Sequence, residues 1–409
     1  MQKRNIGCLT VSLLILALVF SMTGMVFASS SGDHPNSPTR RIVVFQNQLV
    51  DQVEKDQILK QAGVSKVKDL PLINAAVVLT GPGGEKALQQ RLEVLRVDTD
   101  VMVYTQAKPQ PKPQPKPQPE ILPWGVDRID ADLVWDEDQN LNIDEGANAG
   151  GGVKVAILDT GIDLDHPDLQ ANIKGGINTI IPWKSPDDDN GHGTHVAGII
   201  AAVDNAVGVI GTAPKAELYA VKVLNRQGSG YVSDIIEGLQ WCIDNEMQVV
   251  NMSFGTPYDI PSLHEAIGSA YDSGIVSVAA AGNSGPGDDT VLYPARYPEV
   301  IAVSATDDKD EIAGWSSRGI EVELAAPGVG ICSTFKGGGY KTLSGTSMAS
   351  PHVAGSAALV IASGVTDKSE VRLKLQIAAD NLGNPGKDNL YGYGLVDAQE
   401  AATGVQTEP

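Results

Sequence analysis

The sequence predicts an α/β fold, a parallel sheet with helices on both faces, preceded by a small α+β unit. From Ile121 to about Ala402, short and almost continuously apolar strands alternate with helical stretches. Such strands are buried on both faces, as parallel strands connected by helices are. The chain also has 44 glycines and only 5% aromatic residues, which suits an α/β fold with many tight turns.

The elements of this larger part follow in order along the chain. Apolar runs predict strands over 153–158, 217–223, 249–253, 275–280 and 300–304. Helices are predicted over 193–202, 233–245, 262–273 and 347–362. Sites in such sheets form beyond the carboxyl ends of the strands, so polar residues at those ends are the candidates for function.

A smaller unit is predicted over 29–106, with its core at 40–105. Strands are predicted over 41–45, 75–80 and 101–104, and helices over 53–61 and 84–92. This order fits a ferredoxin-like α+β sandwich. The unit is either an independent binding module or a folding pro-region that precedes a larger domain.

The first residues predict a secretory signal over 1–28. Lys3 and Arg4 precede an apolar run over 11–20, and small residues lie at the positions of 26–28 that a signal peptidase reads. An uncleaved membrane anchor is the alternative. However, polar residues interrupt the run before the roughly 18–20 apolar residues of a membrane span accumulate.

A proline-rich linker is predicted over 107–119. Proline alternates there with lysine or glutamine, which favours extended polyproline II and excludes a helix or a central strand. A ligand for SH3-like domains is the alternative, although a secreted protein would rarely meet such a partner. The larger domain then spans 120–402, followed by a short tail over 403–409.

The formal net charge of -20 bears on the partners of this chain. It would repel phosphate backbones and anionic lipid, so neither nucleic acid nor a membrane is expected as a partner. Calcium would be attracted, although the acidity can also simply keep a secreted protein soluble. Outside the signal, Cys242 and Cys332 are predicted to be small buried or half-buried residues rather than a disulfide.

Two motifs carry an acid and a base. Asp159 follows the strand over 153–158 and precedes Thr-Gly, although a turn-capping aspartate would look the same. His192 lies between two glycines at a helix start, in Asn-Gly-His-Gly-Thr-His. His192 and His195 could instead bind zinc, but the acidic ligand of a motif such as H-E-x-x-H is missing.

Two further motifs supply a nucleophile and hydrogen-bond donors. Ser347 lies in the first turn of a helix rich in small residues, where its own N–H is free to face a developing oxyanion. A plain N-cap serine is the alternative. Asn283 follows the strand over 275–280, where it is either an amide donor or a turn residue. A nucleophilic serine needs a base, a carboxylate to orient that base, and donors for the oxyanion.

Together these segments resemble the subtilisin family in residues and in order. They read Asp-Thr-Gly at 159, His-Gly-Thr-His at 192, Ala-Gly-Asn at 281 and Gly-Thr-Ser-Met-Ala-Ser-Pro-His at 345. The resemblance implies that Ser347 is the nucleophile, His192 the general base and acid, and Asp159 the orienting carboxylate. Asn283 and the Ser347 N–H would form the oxyanion hole. An α/β-hydrolase esterase is disfavoured because Ser347 is not in G-x-S-x-G and the histidine precedes it.

The same resemblance implies a substrate cleft. An extended substrate would pair as a β-strand with two segments, Gly228, Ser229 and Gly230 on one side and Ser253, Phe254 and Gly255 on the other. The pocket for the residue before the scissile bond would be walled by Ala280, Ala281, Gly282 and Leu292. Family members often have a small residue in place of Leu292, so a preference for medium-sized apolar residues is expected.

One calcium site is also implied by the resemblance, and the alternating acidic and amide residues over 136–144 suggest another. The matching residues of the tight site are Glu120, Asp168, Val203, Asn205, Val207 and Val209. Their carboxylate, amide and carbonyl oxygens suit structural calcium. A second calcium could be held by Asp136, Asp138, Asn140, Asn142 and Asp144. Leu141 occupies the place where an EF-hand loop requires glycine, so a solvated acidic loop is the alternative.

Residues 40–105 resemble the family's inhibitory pro-region, which assists folding and then covers the cleft with its last strand. Maturation would then require cleavage between Tyr104 and Glu120. The expected function is a secreted, autoprocessed serine endopeptidase of broad specificity. Its partners would be protein and peptide substrates and its own pro-domain, and the mature enzyme is expected to be a monomer. A narrow-specificity processing protease and a non-catalytic binding protein are the alternatives.

Overall fold

The computed structural model describes residues 38–46, 50–108 and 119–405. The predicted signal at 1–28, most of the predicted linker and the end of the predicted tail lie outside the described residues. Within the described ranges, no helix is both long enough and apolar enough to cross a bilayer.

The N-terminal unit, residues 39–99, is a four-stranded antiparallel sheet with two helices. Its elements are β1 (Thr39–Phe45), α1 (Gln52–Gln61), β2 (Ser65–Leu70), β3 (Ala75–Thr80), α2 (Pro82–Gln89) and β4 (Val94–Thr99). The strand order is β2-β3-β1-β4. Helix α1 begins after Asp51, whose side chain accepts a hydrogen bond from the Glu54 N–H and thereby caps the helix.

The chain then continues through a further strand into the larger domain. The strands are β5 (Met102–Thr105), β6 (Lys154–Asp159), β7 (Ile173–Asn178), β8 (Glu217–Lys222), β9 (Ser229–Tyr231), β10 (Val249–Met252), β11 (Phe254–Gly255), β12 (Val276–Ala280), β13 (Val300–Thr306), β14 (Val322–Pro327), β15 (Ile331–Phe335) and β16 (Gly339–Leu343). The helices are α3 (Trp124–Arg128), α4 (His192–Ala201), α5 (Val232–Asp244), α6 (Pro261–Asp272), α7 (Thr346–Ala362), α8 (Lys368–Ile377) and α9 (Ala398–Thr403).

Seven strands form the central sheet, in the order β14-β13-β12-β10-β6-β8-β7, and all neighbouring pairs are parallel. Alternate side chains of β6 face opposite layers, as the strand pleat requires. Val155 and Ile157 pack in one core cluster with residues of α4 and α7. Ala156 and Leu158 pack in the other with residues of α5 and α6. The predicted α/β architecture with helices on both faces is confirmed.

The sheet of the N-terminal unit also has both faces covered. Val43 and Phe45 of β1 pack with residues of α1 and α2. Ile42 and Val44, which point the other way, share a core cluster with residues of α5 and α6. The N-terminal unit is therefore a two-layer sandwich whose second face is completed by helices of the larger domain.

Each predicted helix and strand is present, but some bounds differ and several strands were not predicted. The helix predicted over 84–92 is α2, Pro82–Gln89, because proline suits a first helical turn, where its missing N–H has no role. Strands β2 and β7 lie at sheet edges and were missed because half-exposed sequences such as Ile-Lys-Gly-Gly-Ile-Asn show no clear apolar run. The strand predicted over 101–104 is present as β5, but it pairs with the larger domain and not with β1 to β4.

Candidate active site

The acid and base predicted from sequence meet at the carboxyl end of β6. Asp159 is the last residue of β6, and His192 is the first residue of α4. His192 Nδ1 lies 2.8 Å from Asp159 Oδ1 and 2.9 Å from Oδ2, and both side chains are buried. The Thr160 N–H donates to Asp159 Oδ1 at 2.7 Å. The carboxylate therefore holds the proton on Nδ1 and leaves Nε2 as the basic nitrogen.

Ser347 is the second residue of α7. Its Oγ donates to the Ser253 carbonyl oxygen at 2.9 Å. Among the described residues, His192 Nε2 has no hydrogen-bond partner. Ser347 Oγ and His192 Nε2 are therefore not hydrogen-bonded to each other in this structure. Catalytic hydrogen bonds often form only when the reacting complex does.

A backbone carbonyl lies between the two predicted oxyanion donors. Asn283 Nδ2 donates to the Gln106 carbonyl oxygen at 2.7 Å, and the Ser347 N–H donates to the same oxygen at 3.2 Å. Gly345 allows this approach, since a Cβ there would lie 2.2 Å from the Gln106 oxygen. The two donors therefore converge on one carbonyl, as an oxyanion hole requires.

Thr346 orients the amide of Asn283 and was not predicted. Both its N–H and its hydroxyl donate to Asn283 Oδ1, each at 3.1 Å, and its hydroxyl accepts from the Gly282 N–H at 3.1 Å. Because the amide oxygen is engaged, the NH₂ group faces the cleft. The motif Gly-Thr-Ser predicted only its serine as functional, although the threonine hydroxyl beside it is a hydrogen-bonding group that could have indicated Thr346.

The two segments predicted to bind a substrate strand both pair with β5. In this antiparallel three-stranded sheet, β5 lies between β11 and β9. Val103 faces Gly230 on one side, and Tyr104 faces Gly255 on the other. The Thr105 N–H donates to the Gly228 carbonyl at 3.0 Å, and the Gln106 N–H donates to the Ser253 carbonyl at 3.2 Å. The chain's own segment therefore runs along the cleft up to the oxyanion donors.

The predicted pocket beside Gln106 is narrow because Leu292 lies between its walls. A Cβ at Gly255 would lie 2.9 Å from Leu292 Cβ, and a Cβ at Gly282 would lie 2.7 Å from Leu292 Cγ. The Gln106 side chain turns back, and its amide donates to the Tyr104 carbonyl at 2.9 Å. Ala280 and Ala281 are fully buried behind this wall.

The sequence was also compared with known proteins and protein families. A model of the Subtilase family matches residues 150–394. The chain belongs to the subtilase family. It is 38% identical over 401 residues to Subtilisin E of Bacillus subtilis (strain 168), covering 96% of this chain and 98% of that protein. It is 48% identical over 283 residues to Subtilisin Savinase of Lederbergia lenta, covering 69% of this chain and 98% of that protein.

A third relative spans almost the whole chain. An alkaline protease of Alkalihalobacillus alcalophilus is 39% identical over 402 residues, which cover 95% of this chain and 98% of that protein. Family membership and these relatives show that this subtilase is a serine endopeptidase.

Asp188 is a second residue of the subtilase site that sequence reasoning missed. Its buried carboxylate accepts from the Thr160 hydroxyl at 2.9 Å, from the Thr194 hydroxyl at 2.6 Å and from the Gly191 N–H at 2.9 Å. Burial raises the pKa of Asp188, although these hydrogen bonds oppose the rise. The carboxylate links the turn after Asp159 to the start of α4. An aspartate shortly before a helix start is a recognisable capping signal.

The family resemblance implies that His195 and His352 are supporting residues and not catalytic ones, and both are buried and neutral. Burial lowers the pKa of His195 to about 3 and that of His352 to about 4. His195 Nε2 lies 2.9 Å from the Lys341 carbonyl, and His352 Nδ1 lies 2.8 Å from the Met348 carbonyl, so each ring donates to backbone. These contacts agree with structural roles for both rings.

The six residues of the predicted tight calcium site are linked to one another. Asp168 is central: its carboxylate accepts from the Asn205 amide at 3.0 Å and the Val209 N–H at 3.1 Å, and its carbonyl accepts from the Val203 N–H at 2.9 Å. Glu120 accepts from the Asn205 N–H at 3.0 Å, and Asn205 Oδ1 accepts from the Val207 N–H at 3.1 Å.

The charge at this site fits a cation. Burial raises the pKa of Glu120, and the negative charges of Asp204 and Asp168 raise it further. Tyr340, which was not predicted here, donates its hydroxyl to Asp168 at 2.7 Å. Buried carboxylates with amide and carbonyl oxygens around them are the donors that calcium prefers.

The second predicted loop brings three of its five residues together. Carboxylate oxygens of Asp136, Asp138 and Asp144 lie within 4.8 Å of one another. Asn142 instead donates to Asn140, at 2.6 Å between side chains. Leu141 adopts a φ of 64°, the left-handed conformation that glycine has at the matching place of an EF-hand loop. At this one position the loop has the backbone conformation, though not the glycine, of such a site.

The remaining sequence prediction here concerns the cysteines. Cys242 is buried and Cys332 half-buried, and both are free thiols. Burial raises the pKa of both, which makes neither a reactive thiolate. The prediction of two small core residues is confirmed.

Proposed function

We propose that this subtilase is a secreted endopeptidase of broad specificity, made as a precursor that it processes itself. The observation that carries the proposal is the Gln106 carbonyl oxygen, which accepts from both Asn283 and the Ser347 N–H. A peptide carbonyl held by two such donors is at the position where a tetrahedral oxyanion forms. Secretion is supported by the signal-like sequence at 1–28.

Catalysis would proceed through an acyl-enzyme. Ser347 Oγ turns to His192 Nε2, which takes its proton as Oγ attacks the carbonyl carbon. Asp159 stabilises the imidazolium that forms. The proton then passes from Nε2 to the leaving nitrogen, the peptide bond breaks, and water releases the acyl group by the same route.

Broad specificity is supported by how the cleft binds β5. The hydrogen bonds given above join backbone to backbone, so they are available to any extended peptide. Side-chain discrimination is then left mainly to the pocket that Leu292 narrows. Flexible or unfolded proteins, which can supply an extended segment, are the proposed substrates.

The N-terminal unit is proposed to be the pro-region and intramolecular inhibitor. The strand that follows it, β5, already makes the hydrogen bonds that a substrate strand would make. Structural calcium is proposed at Glu120, Asp168 and Asn205 with carbonyls of the loop over 203–209, and a second ion at Asp136, Asp138 and Asp144. Bound calcium would neutralise these carboxylates and fix the loop and the chain around Glu120.

The test is hydrolysis of denatured casein in calcium by the purified secreted protein, beside Ser347→Ala. Activity in the unmodified protein alone is expected. Profiling of the cut sites in a denatured peptide mixture should show many sequences, and a single short consensus would indicate a narrow processing protease. Lack of activity after confirmed removal of the pro-region would leave a non-catalytic binding protein.

A further inference from the structure

We infer that the precursor is cut at one bond, between Gln106 and Ala107, and that the mature enzyme keeps residues 107–119 as an N-terminal extension. The inference rests on the proposed autoprocessing and names its substrate bond. Sequence alone confined the cut only to the interval between Tyr104 and Glu120.

The segment that precedes this bond, residues 104–106, is bound by backbone pairing and hydrogen bonds. Tyr104 pairs with Ser229 and Gly255, and the N–H groups of Thr105 and Gln106 donate to enzyme carbonyls. The register leaves the carbonyl of Gln106, and not that of a neighbour, between the oxyanion donors. A carbonyl one residue away would point to the opposite edge of the strand, because successive peptide groups alternate in direction.

The leaving side is held as well. The Lys108 N–H donates to the Ser344 carbonyl at 2.7 Å, and these two residues form an antiparallel bridge. The Lys108 ammonium lies 5.3 Å from the centre of the Trp315 ring, within cation–π range. Both peptide segments that flank the Gln106–Ala107 bond are therefore bound, so the bond is presented in an extended conformation.

The proline repeat excludes the bonds that follow. Proline occupies every odd position from 109 to 119. For any bond from Ala107–Lys108 to Gln118–Pro119, either the first or the second residue after the bond is proline. A proline first gives a tertiary amide, and a proline second lacks the N–H that Lys108 donates to Ser344. The Gln106–Ala107 bond is the last one before Pro119 that avoids both defects.

The proposed cleavage needs only groups of this chain and one water molecule. Ser347 Oγ bonds to the Gln106 carbonyl carbon, and its proton moves to His192. The Gln106–Ala107 bond breaks as His192 protonates the Ala107 nitrogen, which becomes the new amino terminus. Water then hydrolyses the ester, leaving a pro-region that ends in the Gln106 carboxylate.

The experiment follows the full-length precursor, refolded from denaturant in calcium so that no other protease acts. Intact masses are recorded over time, together with casein hydrolysis. One fragment that ends at Gln106 and one chain that begins at Ala107 are expected. Ser347→Ala should keep a single, unprocessed mass.

Three variants test the register. Ala107→Pro should abolish the cut at this bond, and Lys108→Pro, which removes one hydrogen bond, should slow it about 10-fold. Gln110→Pro is the matched control and should process at the rate of the unmodified chain. Each substitution is also made beside Ser347→Ala, where an unchanged melting temperature shows that the precursor still folds.

The outcomes separate the inference from the proposed function. Casein hydrolysis by a mature chain that begins elsewhere, or an unchanged processing rate in Ala107→Pro, overturns the assigned bond and leaves the endopeptidase intact. Absence of both processing and casein hydrolysis in a folded, unmodified chain overturns both.

Discussion

Orientation of the Asn283 amide depends on Thr346, whose hydrogen bonds given above go to Asn283 and Gly282. Its hydroxyl both donates to Asn283 Oδ1 and accepts from the Gly282 N–H. A hydrogen bond of this kind contributes about 1 kcal/mol. Thr346 is thus a positioning residue, since its effect on a substrate passes through another side chain.

Replacing Thr346 with valine keeps the shape and removes the hydroxyl. We expect Thr346→Val to lower kcat about 10-fold with little change in KM, because the oxyanion donor is loosened and substrate pairing is not. Steady-state kinetics on a peptide amide would measure both constants. Thr346→Ser should restore kcat, and a rise in KM with unchanged kcat would contradict this role.

Leu292 is expected to limit the size of the residue before the scissile bond. Leu292→Ala should raise kcat/KM about 10-fold for peptides with phenylalanine there, relative to alanine, because the space between Gly255 and Gly282 opens. Kinetics on a matched peptide series would measure this ratio. Leu292→Met, which keeps the volume, is the control, and equal ratios in all three enzymes would contradict the pocket assignment.

The site residues that lie in recognisable sequence motifs could be predicted from the sequence. Asp159, His192, Asn283 and Ser347 were all predicted; the structure pairs Asp159 with His192, and it directs the donors of Asn283 and Ser347 at the Gln106 carbonyl. The hydrogen bond from Ser347 Oγ to the Ser253 carbonyl and the place of Gln106 were not predictable, because both depend on tertiary contacts between distant segments. Asp188 and Thr346 lie inside or beside the motifs, but their hydrogen-bond partners come from other elements.

Helices α5 and α6 lack side-chain caps of their own, since Tyr231 and Ile260 precede them. Asp98 in β4 and Asp100, which follows that strand, supply both caps. Asp100 accepts from the Ser233 N–H at 3.0 Å and the Ser233 hydroxyl at 2.8 Å, and Asp98 accepts from the Ser262 N–H at 3.2 Å. The carboxylates also oppose the positive ends of the two helix dipoles.

Removal of either carboxylate should therefore weaken the packing of the segment around Asp98 and Asp100 against α5 and α6. We expect Asp98→Ala and Asp100→Ala, each made in the Ser347→Ala precursor, to lower the free energy of unfolding by about 1 kcal/mol. Urea denaturation would measure it. Asp56→Ala is the control, because Asp56 contacts Lys66 and Gln52 within its own unit. A loss as large in the control would contradict the capping role.

Helix α9 begins after Asp397, which accepts from the Glu400 N–H at 2.7 Å. Burial raises the pKa of Asp397 to about 6, and the negative charges of Asp130 and Asp380 add to the effect. A carboxyl whose pKa is higher in the folded than in the unfolded chain binds more protons when folded. Its contribution to stability therefore falls as pH rises from about 4 to about 6.

Asparagine caps a helix as well as aspartate but does not ionise. We expect Asp397→Asn to raise the melting temperature at pH 8 and to leave it unchanged at pH 4, as differential scanning calorimetry would record. The control is Asp367→Asn at the exposed cap of α8. A melting temperature that is unchanged by Asp397→Asn at pH 8 would contradict the assignment.

Elements with a complete apolar run were predicted within a few residues, as β6, β10 and α7 show. Edge strands were not, because one side of an edge strand needs no partner and its sequence stays mixed. The pairing of β5 was available only through the family resemblance. No local pattern says which sheet a four-residue strand joins.

At the scale of the whole molecule, the proposed calcium at Asp168 would connect the start of the larger domain to the loop over 203–209. A ligand that binds only the folded state adds about 1.4 kcal/mol for each tenfold rise in its concentration above Kd. We therefore expect the half-life at high temperature to lengthen with calcium and to collapse in chelator. Asp168→Asn should weaken this dependence, and an equal dependence in both proteins would contradict the site.

The second face of the N-terminal sheet, formed by residues such as Ile42, Val44 and Val77, is dry only while α5 and α6 cover it. Once the connecting peptide bond is broken, departure of the pro-region would expose that face to water. A sandwich of about 60 residues with one bare layer would be marginally stable, and an unfolded chain is the substrate that a protease binding mainly through the backbone would cut best. Activation would then be irreversible, because the enzyme would digest the pro-region that had inhibited it.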